Sequence, residues 1–373
     1  MQILQLSTVV PKSRYSTDEL IEVFPCQIPE GVKQNILNLG VSNRYLTNPV
    51  NSSSKSKMNT SSKKMLVDLC VEACEQSVER TNLSLNDIGY FIATYDASPF
   101  LCPGLSSLLV RKLGFQPFIK HVNIQGMACV AFTTALELAK DHLAAHPKDY
   151  VLLCISGVNS YWSCNQVQGV GDIMEIKKID LLKDKSKRRM ELRKWIATIE
   201  FFLFGDGVAS VVVSNKGDGL SVGKIVNVTN VRIRDYLAGY ARLVALNEPF
   251  KFGFHSNLDK DLPKLGIQYT SLAFQKLFDK KTGNEIDAIK KWVIHTGSKK
   301  ILDKMSEHYH IPYEKLEESY EVLTEYGNLA GASMPFILKK IISESKFSKN
   351  DLISMLDFGW GFAASACLLE FQK

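Results

Sequence analysis

Along the chain the apolar positions change period several times, and each change marks an expected element. Ile3-Leu4-Gln5-Leu6 reads as a strand over about residues 2 to 8, and the capping-box pattern Ser16-Thr-Asp-Glu19 then starts a short helix. Asn51 to Ser62 is a polar, Ser-rich loop, after which Met65, Leu66, Leu69, Val71 and Ala73 recur between charges as an amphipathic helix over Lys63 to Arg80. Tyr90 to Tyr95 is a strand that leads into the loop Pro99-Phe-Leu-Cys-Pro-Gly104. From His121 to Lys140 a Gly turn is followed by small residues that settle into apolar spacing of helical period. This places Cys129 at or within the first turn of a buried helix. Tyr150-Val-Leu-Leu-Cys-Ile-Ser156 is an unbroken apolar run of strand length, the pattern of a strand covered on both faces.

The pattern then repeats. Trp292-Val-Ile-His-Thr-Gly-Ser298 is a strand entering a loop, as residues 90–98 are, and Tyr326 to Leu338 is a turn entering a small-residue helix, as residues 126–138 are. Both offsets are about 200 residues, and Leu352 to Leu356 with Phe358-Gly-Trp-Gly361 closes the copy. A repeat at half the chain length implies two similar αβ units facing each other. Phe201 to Val213 reads as a Gly turn feeding a strand, and Asn215-Lys-Gly-Asp-Gly219 as the hinge, so the expected halves are residues 1–216 and 217–373. By that superposition Cys129 and Asn328 occupy equivalent helix starts.

Composition narrows the class without changing this layout. The 373 residues are 45% hydrophobic and 23% charged, an ordinary globular balance, and no apolar run reaches membrane-helix length. A cytoplasmic enzyme without membrane insertion is expected. The eight cysteines form no CxxC pair and are too sparse for a disulfide scaffold; Cys70 and Cys74 share a helix face without a nearby His, so packing rather than metal is expected there. The net charge of +6 suits anionic partners such as coenzyme A or an acidic carrier protein and does not call for nucleic acid. Much of the excess lies between Lys177 and Lys194, a solvated helix or a docking surface for phosphates or an acidic carrier.

Cys129 is the candidate nucleophile. Amide N–H groups and the positive dipole end of a helix favour thiolate, the species that attacks acyl groups, although cysteine is also among the most buried residue types. Three motifs decide between these. Gly126-Met-Ala-Cys129, Val293-Ile-His295-Thr-Gly-Ser and Glu325-Tyr-Gly-Asn328-Leu-Ala-Gly-Ala resemble, in order and separation, the Cys, His and Asn motifs of thiolase-fold condensing enzymes. Within these they are most similar to the type III polyketide synthases, the chalcone and stilbene synthase family. Leu203-Phe-Gly-Asp-Gly207 and Leu258-Asp-Lys-Asp-Leu-Pro263 support the likeness, which spans essentially the whole chain.

The resemblance implies a five-layered α-β-α-β-α thiolase fold and an acyltransferase working by decarboxylative Claisen condensation of an acyl primer with malonyl units. The product would be a β-ketoacyl thioester or short polyketide of pyrone or resorcinol type. Cys129 would carry the acyl group, while His295 and Asn328 would donate hydrogen bonds to the malonyl thioester carbonyl, worth about 3 to 4 kcal/mol each. His295 would also pair with the thiolate, and the acyl oxyanion would meet the Cys129 N–H and the Gly359 to Gly361 loop. Phe204 would stand between the coenzyme A tunnel and the cavity. Phe254 is the second gatekeeper in one alignment and Ser256 in the gap-free one. Cys102 falls where the family crosses a dimer interface, which implies a homodimer. Acyl-coenzyme A and malonyl-coenzyme A would be substrates, with no cofactor and no metal.

Departures from the family qualify this. The last loop reads Gly359-Trp-Gly-Phe-Ala363, nearer to the initiating ketoacyl synthases, and Phe132 stands where a glycine is usual, so it should narrow the acyl pocket. The basic helix that binds coenzyme A phosphates is reduced to Lys33, which leaves an acyl carrier protein as an alternative donor. A single-round ketoacyl synthase is disfavoured because initiating synthases carry an Asn soon after the His that precedes Thr296. A non-catalytic partner subunit is disfavoured because Cys129 is present.

Overall fold

The computed structural model describes residues 1–47, 60–95, 102–243, 254–259, 261–278 and 284–372, with only the backbone of 60–64, 242–243, 254–255 and 284–285. Most of the loop expected from Asn51 to Ser62, and residues 99–101 of the loop from Pro99, therefore lie outside the described residues.

Nine strands form one sheet in the spatial order Ile289–Ile294, Leu352–Gly359, Ala363–Phe371, Leu220–Thr229, Gln2–Val9, Asp206–Ser214, Tyr150–Val158, Ile88–Thr94 and Lys120–Ile124. The sheet has a seam. Gln2–Val9 meets Leu220–Thr229 through only Gln2 opposite Ser221 and Ile3 opposite Leu220. Outward from that seam both sides run the same way, through two antiparallel pairings and then a parallel one. The first side adds one more parallel strand, Lys120–Ile124. The sequence repeat at about 200 residues is thus a repeat of strand pairing. Residues 215–219 connect the two sides as the turn between Asp206–Ser214 and Leu220–Thr229.

Side-chain alternation distributes the layers. In Tyr150–Val158, Val151, Leu153 and Ile155 face the helices Ala131–Ala145 and Ser333–Glu344, which lie between the two sides of the sheet. Leu152 and Cys154 face outward to the helices Thr60–Glu79 and Leu105–Leu113. On the other side Trp292, Ile294, Leu356 and Phe358 face outward to Leu262–Leu277 and Lys299–Tyr309. The result is helix, sheet, helix, sheet, helix, the five layers expected. The two middle helices are apolar on most of their surface because both sides bury them, which is why small residues open each of them.

Local signals set the element ends. Ser16 and Glu19 form the reciprocal capping box of the helix Thr17–Glu22. The basic stretch is helical, in Ile176–Asp180 and in the long helix Lys185–Leu203, whose Asp184 cap accepts from the N–H groups of Ser186 and Lys187. That helix starts in solvent and ends buried at Leu203, so it carries the chain from the surface to the centre of the molecule.

Candidate active site

Strand Lys120–Ile124 leaves the sheet through Gly126, at φ +81°, and a 3-10 turn, Ala128–Val130, feeds directly into the helix Ala131–Ala145. Ala128 holds φ +46°, a left-handed conformation that alanine seldom adopts, and Cys129 follows it at the start of the helix. The second half repeats the device, with Ala330 at φ +49° in the turn Ala330–Ala332 ahead of Ser333–Glu344. Ala128 therefore matches Ala330 and Cys129 matches Gly331. Asn328 therefore stands opposite Gly126, three positions before Cys129, with which the sequence repeat paired it. A Cβ at Gly331 would lie 2.9 Å from Ala131 Cβ and 3.2 Å from the Ala128 carbonyl, so only glycine lets the two turns touch.

His295 leaves strand Ile289–Ile294 with its N–H bonded to the Leu356 carbonyl at 3.1 Å. Its ring is buried edge-on to Phe358, and Nδ1 has no hydrogen-bond partner among the described residues. Burial pushes the imidazole down to about 3, so the ring is neutral at physiological pH. Burial thus favours a neutral hydrogen-bond donor at His295.

Asn328 is fixed by its own backbone. Its N–H donates to Leu203 O at 2.9 Å and its carbonyl accepts from Gly205 N at 3.2 Å, a bridge that ties it to Phe204. Its Oδ1 accepts from the Ala330 N–H at 2.8 Å. With the oxygen so used, the donor end of the amide remains for the cavity. Ser333 joins the two motifs, its hydroxyl accepting from Thr296 Oγ1 at 2.7 Å and from the Leu329 N–H at 3.0 Å.

Cys129, His295, Asn328, Gly359 and Gly361 share the wall of one cavity of about 340 Å³. Gly359 packs on the nucleophile's own peptide, since a Cβ there would lie 3.0 Å from Cys129 N. Phe204 lines the same cavity between two tryptophans, 5.3 Å from Trp162 and 6.4 Å from Trp360 between ring centroids. The stacked pair Tyr236 and Tyr240 adds to an aromatic wall. Below the cysteine turn Thr133 donates to the buried Asp357 carboxyl at 2.9 Å, and Ser365 bonds both. Burial raises Asp357 to about 7 despite those donors.

One pocket residue stands elsewhere than expected. Phe132 is fully buried in the core between the sheets, with Leu136, Ile155 and Leu329, and is not among the residues lining the cavity. Cys102, expected at a dimer interface, is exposed and does not line the cavity of its own chain. Phe254 opens the strand Phe254–Leu258, but its side chain lies outside the described residues. Ser256, from the competing alignment, is buried and donates to Glu200 Oε2 at 2.9 Å. Glu200 has no exposure, its Oε1 has no partner among the described residues, and burial raises it to about 8. Asn159, Trp162 and Gln166, which also line the cavity, went unnoticed in the sequence because a buried helix of mixed polarity has no periodic signal.

Comparisons with known proteins agree with this architecture. The chain matches the family model for FAE1/type III polyketide synthase-like proteins over residues 34–165. It matches that for the C-terminal part of 3-oxoacyl-[acyl-carrier-protein] synthase III over residues 280–371. A 3,5-dihydroxyphenylacetyl-CoA synthase of Amycolatopsis balhimycina is 24% identical, with 98% of this chain and 92% of that protein covered. An alpha-pyrone synthesis polyketide synthase-like protein of Mycobacterium tuberculosis is 25% identical over 76% of this chain and 65% of its own. The solved structure of a 1,3,6,8-tetrahydroxynaphthalene synthase from Streptomyces coelicolor superposes with a TM-score of 0.82 at 21% identity, covering both chains fully.

Proposed function

We infer that this chain, a member of the type III polyketide synthase group of thiolase-fold condensing enzymes, elongates an acyl primer on Cys129 with malonyl-coenzyme A to give a pyrone- or phenol-type polyketide. The observation that carries this is the placement of Cys129, His295 and Asn328 on one cavity wall, with the thiol at a helix start.

In the first step the Cys129 sulfur attacks the carbonyl of an acyl-coenzyme A. The thiol proton leaves with the departing coenzyme A thiol, and an enzyme-bound thioester remains. The Cys129 N–H and the packed Gly359 backbone face the oxyanion of that exchange. In the second, malonyl-coenzyme A loses carbon dioxide, and the electron pair of the broken C–C bond becomes an enolate. His295 and the Asn328 amide donate to its oxygen. Neutral donors suit this role, because a cationic imidazole in so dry a site would cost more to hold than it returned. The enolate carbon then attacks the Cys129 thioester, the C–S bond breaks, and the sulfur regains a proton. Returning the β-ketoacyl product to Cys129 allows another round.

Coenzyme A thioesters are the substrates, and the absence of any other cofactor is part of the proposal. So is a homodimer in which Cys102 of each copy approaches the other's cavity. The division of the chain after residue 216, with Cys129 in one half and His295 and Asn328 in the other, belongs to the same reading, as does a cytoplasmic location. Among the described residues no helix is long and apolar enough to cross a membrane. Intact-protein mass spectrometry with a panel of acyl-coenzyme A thioesters tests the reading. A mass increment that is lost in Cys129→Ala, and product release on adding malonyl-coenzyme A, are expected. A wild-type protein that no acyl thioester modifies would overturn it.

A further inference from the structure

The helix Ser160–Val167 is buried along nearly its whole length. Asn159, Trp162 and Gln166 are three, four and seven residues apart, so they share one helix face, and all three line the cavity that holds Cys129. The two amides differ. Asn159 Nδ2 is spoken for, donating to Gly205 O at 3.1 Å. Gln166 is 6% exposed, and its Nε2 has no hydrogen-bond partner among the described residues. A buried donor left unpaired in an aromatic cavity is unfavourable, and such groups ordinarily have a partner. Gln166 also lies about 10 Å along the helix axis from Asn159, which is bonded beside the Phe204–Asn328 bridge.

We propose that Gln166 is a specificity-determining residue whose amide donates to a keto oxygen of the elongating poly-β-keto chain, so that the site favours chains already extended over plain alkyl chains. This rests on the condensing-enzyme reading above. Each condensation adds one keto group to the chain. A growing polyketide brings acceptors into a cavity lined largely by aromatic side chains, and the unpaired Gln166 N–H is a donor there that would distinguish a keto chain from an alkyl chain of the same length. A site built to pair a substrate's polar group rejects the analogue lacking it far more strongly than an apolar pocket rejects one methylene.

The test compares wild type with Gln166→Leu on one primer and malonyl-coenzyme A. It reads the rate of Cys129 acylation by mass spectrometry and the ratio of multiply to singly extended products. That ratio, counted per acylated enzyme, is expected to fall roughly tenfold or more. An unchanged product ratio overturns the inference while leaving the condensing reading intact. A wild-type protein that releases no extended product overturns the condensing reading, and this inference with it. Should Gln166→Leu not fold, wild type is given a 3,5-dioxoacyl and a saturated acyl thioester of equal length in competition. Preference for the dioxo chain by roughly tenfold supports the role, and equal use refutes it.

Discussion

The buried Glu200–Ser256 pair makes a quantitative prediction about stability. Glu200 is raised from the ordinary 4.5 to about 8, because burial disfavours its charged form more than the Ser256 hydroxyl favours it. The folded protein thus holds this proton more tightly than the unfolded chain. The associated stability is fully present below about pH 4.5 and is lost as the pH rises through about 8. At 1.36 kcal/mol per unit, the loss between about pH 5 and pH 8 comes to about 3 kcal/mol. Glu200→Gln removes the titration while keeping an oxygen for Ser256. Urea unfolding of both proteins across this range, followed by tryptophan fluorescence, should show wild type falling relative to the variant by that amount. Asp357, also raised by burial, titrates in both proteins and cancels in the difference. Parallel curves, offset by a constant within about 0.5 kcal/mol, would refute the assignment of a neutral carboxyl at Glu200.

Three further outcomes are expected. Asn328→Ala should lower the condensation rate by roughly 100- to 1000-fold while Cys129 still becomes acylated, because the amide acts on the malonyl-derived enolate and not on loading; loss of acylation would contradict that division. Phe132→Ala should cost about 3 to 5 kcal/mol of stability in denaturant unfolding without shifting the preferred primer length, and a changed primer profile would return Phe132 to the pocket. Reversing Lys187, Arg188 and Arg189 to Glu should raise the KM for the thioester donor several-fold at low salt if the exposed start of the Lys185–Leu203 helix docks phosphates or an acidic carrier. Since Arg188 already pairs with Asp180 at 3.0 Å, an unchanged KM would make this a solvated face.

The sequence carried the layout because its signals were local. The apolar run at Tyr150 to Ser156, the capping box at Ser16 and the glycine turns before Cys129 and Asn328 each dictate backbone within a few residues. The cavity is another matter. Phe132 and Gln166 were misjudged or missed because which side of a buried helix faces a void depends on neighbours far along the chain. No period distinguishes the two faces when both are covered. Glu200 escaped for a related reason. A carboxylate in an apolar stretch reads as a surface interruption, and only its contact with Ser256, from a distant strand, shows it to be interior. The positive φ at Ala128 and Ala330 had no sequence signal, since alanine is the residue least suggestive of a left-handed turn except for its glycine neighbours.

The seam of the sheet bears on how the chain is made. Gln2–Val9 pairs along its length with Asp206–Ser214 and touches Leu220–Thr229 beside it. Gln2–Val9 therefore waits for partners that emerge some 200 residues later, roughly 10 to 40 s at ordinary ribosomal speeds. Through that interval its amides are unpaired and open to any other strand. During synthesis this strand, which does not line the cavity, is one place where the chain is open to aggregation.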